Sequence, residues 1–133
     1  MTRMSTFDAR KFYADYIEVL NTRQFQRLDA FVSDEIVYFG DRATRDQVIA
    51  AISGLVEAVP DLFWEVQEFG ANGDDLAVRL INRGTPVQPF LGLEPTGEAF
   101  EINEFAVYRV RDGRFTHMSN VHDAAALRAQ LGG

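Results

Sequence analysis

The chain contains no cysteine, and that absence excludes disulfides, thiolate nucleophiles and cysteine-based zinc or iron–sulfur sites together. Lysine is almost as scarce, Lys11 being the single example, and the formal charge is −7 with a pI near 4.7. Phosphate backbones and anionic membrane surfaces are bound through a surplus of lysine and arginine, so neither nucleic acid nor a membrane is an expected partner. No apolar run approaches the ~18 residues of a membrane span, and the first residues lack a charged-then-apolar export pattern, so the cytoplasm is the expected compartment. Low-complexity tracts and internal repeats are missing too. What remains is 133 residues, 47% apolar and 25% charged, enough to bury a core as one domain spanning residues 1–133.

Apolar periodicity divides this chain into helices first and strands afterwards. Phe12, Tyr13, Tyr16, Ile17 and Leu20 recur at helical spacing within a helix expected from about Ser5 to Leu20, and Asn21-Thr22 ends it. A shorter helix is expected over Phe25 to Val32, followed by a brief β segment, Ile36 to Phe39. Asp41, Arg42, Arg45 and Asp46 read as a solvated loop and the first turn of the next helix. Thr44-Arg45-Asp46-Gln47 has the form of a capping box, and the helix it opens runs to Pro60. Leu62 to Phe69 alternates as a strand, Asn72-Gly73 marks a hairpin, and three further extended segments follow up to Asp123. Asp123 is then a plausible N-cap for a terminal helix through Leu127 to Leu131.

The organising stretch is Leu76 to Asp123, and its middle strand, Glu98 to Val110, alternates with period two. Ile102, Glu104, Ala106, Tyr108 and Val110 point one way; Glu101, Asn103, Phe105, Val107 and Arg109 point the other. Both faces carry bulky apolar groups. Helices can cover only one, so a second copy of the chain is expected on the other, making a homodimer. The resulting class is α+β, a curved antiparallel sheet wrapped around the N-terminal helices with a cavity suited to a small apolar molecule.

Within that cavity Glu104 stands among apolar neighbours, where an ionised carboxylate needs a partner or a raised pKa. Met118, Asn120 and His122 alternate along the last strand and share one face. A carboxylate and an imidazole on neighbouring strands can form an acid–base pair, which makes Glu104 and His122 candidate catalytic groups. Tyr38, Trp64, Ala106, Tyr108 and Met118 are candidate ligand contacts, although aromatic residues in strands more often fill core. His117 and His122 are an odd number of residues apart on one strand, so they face opposite ways and a shared metal is not expected. The glycine-rich run Gly92 to Gly97 lacks the spacing and lysine of a phosphate loop.

Several of these stretches together resemble the SnoaL-like polyketide cyclase family of the nuclear transport factor 2-like superfamily. They are Val78-Arg79 to Thr85, Phe90 to Gly97 with its Gly-x-x-Pro-Thr-Gly loop, Val107 to Arg114 with its Asp-Gly hairpin, and Asp123 to Gly132. The resemblance implies a cone-shaped α+β barrel, usually dimeric through the outer sheet face, with an apolar pocket and no metal or organic cofactor. It also implies an aspartate on the last strand acting as general base in an intramolecular aldol closure. Asn120 stands at that position here, and Ala106 where an assisting histidine would be. Asparagine cannot take a proton at neutral pH. Two functions follow: an enzyme of cyclase or isomerase type that abstracts a proton next to a carbonyl and stabilises the enolate with Asn120, a phenol or a protonated acid, or a non-catalytic module that binds a small apolar molecule or a second chain.

Overall fold

The computed structural model describes residues 7–132. The first helix, α1, spans Ala9–Asn21 and begins where the Asp8 carboxylate accepts from the Lys11 N–H at 3.0 Å. That start is later than expected, since the cap lies at Asp8; Ser5 and Thr6 fall outside the described residues. Its stripe is buried as its spacing requires, with Tyr13, Tyr16, Ile17 and Leu20 all enclosed. The next turn, Phe25–Ala30, is a 3₁₀ helix. Tighter winding suits a six-residue connector that buries only Leu28.

Six strands follow in one sheet: β1 (Val32–Tyr38), β2 (Asp41–Thr44), β3 (Phe63–Asn72), β4 (Asp75–Gly84), β5 (Phe100–Arg111) and β6 (Arg114–His122), in spatial order β2-β1-β6-β5-β4-β3. The α+β class and the β3-to-β6 meander match expectation, but the sheet is not wholly antiparallel. β1 runs parallel to β6, because the chain passes from one edge to the other through α2 (Arg45–Ala58) before the meander begins. β2 corrects the reading of Asp41 to Thr44 as solvated loop. Phe39 and Gly40 both take positive φ, 53° and 85°, which lets a two-residue hairpin return the chain beside β1.

The expected helix caps are present. Thr44 and Gln47 exchange both hydrogen bonds of a capping box at the start of α2, and the Asp123 carboxylate receives the Ala126 N–H at 3.0 Å as α3 (Ala124–Leu131) opens. The core lies between α1 and the concave sheet face, where Leu76, Val78 and Leu80 of β4 meet Ile102, Tyr108 and Val110 of β5. A bulge in β6 turns both Phe115 and Met118 inward despite their odd spacing.

Candidate active site

Strand register builds the site. On β5 and β6 the facing pairs are Glu104 with His122, Ala106 with Asn120 and Tyr108 with Met118, all directed to the concave face. On the other side of β5, Asn82 of β4 faces Ile102, one inward position along from Glu104. Three strands thus converge on one carboxylate. Asn82 Nδ2 donates to Glu104 Oε1 at 3.0 Å, and Asn120 Nδ2 donates to Oε2 at the same distance. The His122 Nε2 lies 3.9 Å from Oε1, close enough to feel the carboxylate but beyond hydrogen-bonding range.

Glu104 is 4% exposed and Asn82 1%. Burial raises the Glu104 pKa above the ordinary carboxylate range, and the two amide donors act in the opposite sense by favouring the ionised form. Among the described residues no arginine or lysine pairs with it. His122 is displaced the other way, its pKa lowered by burial, so the imidazole is neutral at pH 7. These opposite directions describe one environment: each group is held toward its uncharged form, and a fully charged ion pair is not the resting state.

Around the carboxylate the wall is aromatic. Tyr38, Trp64, Tyr108 and Met118 line the cavity. Ala106 does not. It is buried on the same face, but its short side chain does not reach the cavity lining. Tyr13 and Tyr16 complete the wall from α1, and the Tyr13 and Tyr108 hydroxyls are 2.7 Å apart. The enclosed volume is ≈ 50 Å³, room for little more than water. A larger concavity, ≈ 620 Å³, lies across the sheet over Ala77 and Val107, on the face turned away from Glu104.

His117 stands on that outer face, beside Arg109, and so shares nothing with His122. Arg79 and Arg83 are likewise outward, paired with Glu68 and Glu65. Sequence reading missed Asn82, Tyr13 and Tyr16 as site residues. Asn82 had a signal, being the one amide among the inward positions Leu76, Val78 and Leu80 of an otherwise apolar alternation. The two tyrosines read as a core stripe, which they also are.

The family model for SnoaL-like polyketide cyclases matches residues 8–131. The chain belongs to this family. No curated protein gives a significant sequence match. Among solved structures, a SnoaL-like polyketide cyclase from Agrobacterium tumefaciens is 24% identical, with a TM-score of 0.90, covering 96% of this chain and 100% of that one. IdmH of Streptomyces antibioticus, provisionally assigned as a polyketide cyclase, is 26% identical with a TM-score of 0.83 over 96% and 100% of the two chains. AclR of Streptomyces galilaeus, provisionally assigned as a hydroxylase, is 21% identical, with a TM-score of 0.75 over 92% and 94%. A SnoaL-like frame therefore carries different provisional assignments, and the reaction of this member has to be argued from its own side chains.

Proposed function

We propose that this SnoaL-like protein is a cofactor-independent enzyme that removes a proton next to the carbonyl of a small apolar compound, as a cyclase or isomerase does, with Glu104 as the base. The observation that supports this reading is the clamped carboxylate. A buried acid with both oxygens held by neutral amide donors, no cationic partner among the described residues and a cavity beside it has the environment of a general base tuned upward from the ordinary carboxylate range. Asn120, at the position where the family resemblance puts the cyclase aspartate, donates to this carboxylate instead of taking a proton. The acid has in effect moved from β6 to β5, its oxygen 3.0 Å from the side chain of the residue that would otherwise carry it.

The steps balance without a further reactant. Glu104 takes the proton from the carbon beside the carbonyl and becomes a carboxylic acid, while the C–H electron pair enters the enolate. In an isomerisation the same proton returns to another carbon. In a cyclisation the enolate carbon bonds to a second carbonyl carbon, and the alkoxide so formed takes the proton back. His122, its side chain 15% exposed and its Nε2 3.9 Å from Oε1, suits proton exchange with water.

Exchange of the α-protons of a small ketone such as cyclopentanone for deuterium, followed by NMR, tests the assignment. Exchange above the buffer rate is the expected result, and Glu104→Gln should lower it by about 10²–10⁴-fold. Wild-type exchange no faster than buffer favours the second reading, a non-catalytic binding module. The small cavity favours that alternative, because ligand sites are ordinarily about 300–1,000 Å³ and a substrate must displace the aromatic wall to enter.

A further inference from the structure

The tyrosines of α1 and β5 are not explained by packing alone. Tyr13, Tyr16 and Tyr108 cluster with ring centroids 5.2 to 6.5 Å apart, and all three border the Glu104 cavity. Their rings fill core as phenylalanine would, yet each adds a hydroxyl to the cavity that Glu104, Asn120 and His122 also border. A buried hydroxyl needs a partner. Tyr13 and Tyr108 find one in each other at 2.7 Å. Two hydroxyls carry two hydrogens, and their mutual bond uses one. Whichever tyrosine donates, the other keeps a hydrogen that no described residue accepts. The Tyr16 hydroxyl makes no hydrogen bond among the described residues although the residue is 4% exposed, and since no fully enclosed side-chain polar atom is left unpaired among them, this hydroxyl faces the cavity that Tyr16 lines.

We infer that the Tyr13, Tyr16 and Tyr108 hydroxyls form an oxygen-binding site that donates hydrogen bonds to the carbonyl oxygen of a ligand held beside Glu104. Phenol hydroxyls with a hydrogen to spare select an acceptor, so a ketone, ester or enolate oxygen fits them. Burial and the nearby Glu104 charge both raise the phenol pKa values, so the three groups stay protonated donors across the physiological range. In the reaction proposed above, negative charge gathers on the carbonyl oxygen as the proton leaves. Hydrogen-bond donors aimed at that oxygen then bind the enolate more strongly than the ketone. The pair adds a relay: the second phenol polarises the first as charge develops. The inference rests on the reading of Glu104 as the base for its catalytic consequence, but not for the oxygen site itself.

The carbonyl stretch and the α-exchange of cyclopentanone separate the two. With protein in excess, the bound C=O band should lie to the red of its position in hexane, and it should stay there in Glu104→Gln, which removes the base and leaves the donors. Tyr13→Phe, Tyr16→Phe and Tyr108→Phe keep the rings; at least one should return the band toward the hexane position and slow exchange by ~10²-fold, the usual loss for one such donor. A wild-type band at the hexane position, no bound band at all, or a red shift that survives all three phenylalanine substitutions overturns the oxygen site. Exchange that persists in Glu104→Gln while the red shift remains overturns the base assignment and leaves the oxygen site standing. The wild-type spectrum decides even if a variant fails to fold.

Discussion

Glu104 concentrates the consequences of burial in one side chain, and its pH linkage has a definite sign. Burial, the largest influence, raises its folded pKa above the ordinary value of 4.5, against the pull of Asn82 and Asn120. The folded state therefore binds this proton more tightly than the unfolded chain, so the stabilisation is complete below pH 4.5 and is lost as pH rises through the raised value. His122 works in reverse. Its pKa is lowered from 6.5, so its contribution is complete above pH 6.5 and is lost as pH falls through the lowered value. Urea unfolding across a pH series should show Glu104→Gln more stable than wild type above the raised value, by ~1.4 kcal/mol for each unit of displacement removed. One neighbouring amide need only turn over so that its carbonyl meets the glutamine NH₂. A variant less stable at neutral pH would show instead that the ionised carboxylate is held by attraction. Asn120→Asp has a different outcome: it trades a donor at 3.0 Å for a second acid, so the two carboxyls share one proton and the second ionises late. Stability at pH 7 should fall by about 1–3 kcal/mol, with the loss shrinking in acid, and the pH profile of ketone exchange should move upward.

At the scale of elements, what the sequence made legible was whatever is encoded by local period and cap. The stripe of α1, the capping box at Thr44, the alternation of β5 and the Asp-Gly hairpin before β6 all lie where local chemistry puts them. β2 was hidden because three of its four residues, Asp41, Arg42 and Thr44, are polar and exposed, and only pairing with β1 makes them a strand. The parallel β1–β6 contact was hidden for a related reason: it joins segments some 80 residues apart, and nothing local records it. Glu104 and His122 could be placed together by counting alternation, whereas Asn82 needed the register of β4 against β5. Asn21 shows the same limit. It reads as a helix terminator, but its side chain also clasps Trp64, donating to the carbonyl at 2.8 Å and accepting the Trp64 N–H at 2.9 Å. This clasp fixes the end of α1 to an edge strand whose tryptophan lines the cavity. Asn21→Ala should cost about 1–3 kcal/mol in thermal or urea unfolding, as two half-buried backbone groups lose their partner. Asn21→Asp, which keeps the acceptor and loses the donor, should fall between alanine and wild type.

For the whole molecule, the two faces of the sheet set different requirements. The concave face is closed by α1, and among the described residues no fully enclosed side-chain polar atom lacks a partner. The outer face has no such cover among the described residues. Phe105, Val107 and Val121 are 50%, 54% and 64% exposed on adjacent strands, with Phe105 directly opposite Val121, and a concavity of ≈ 620 Å³ borders Val107. A soluble chain gains by removing such a patch from water. We propose that a second copy covers it, because the flanking charges suit a two-fold contact: Arg79 and Arg83 lie beside Glu65, Glu68 and Glu101, so the same surface offers both signs to its own image. Light scattering at micromolar concentration should give twice the 15.0 kDa chain mass. Phe105→Glu should convert the dimer to a monomer that keeps its far-ultraviolet circular dichroism, since the side chain points away from the core. A monomeric wild type would remove the proposal. If the dimer splits while ketone exchange by Glu104 continues unchanged, the interface is structural; if exchange falls with dissociation, the sheet that carries Glu104, Asn120 and His122 depends on its partner for shape.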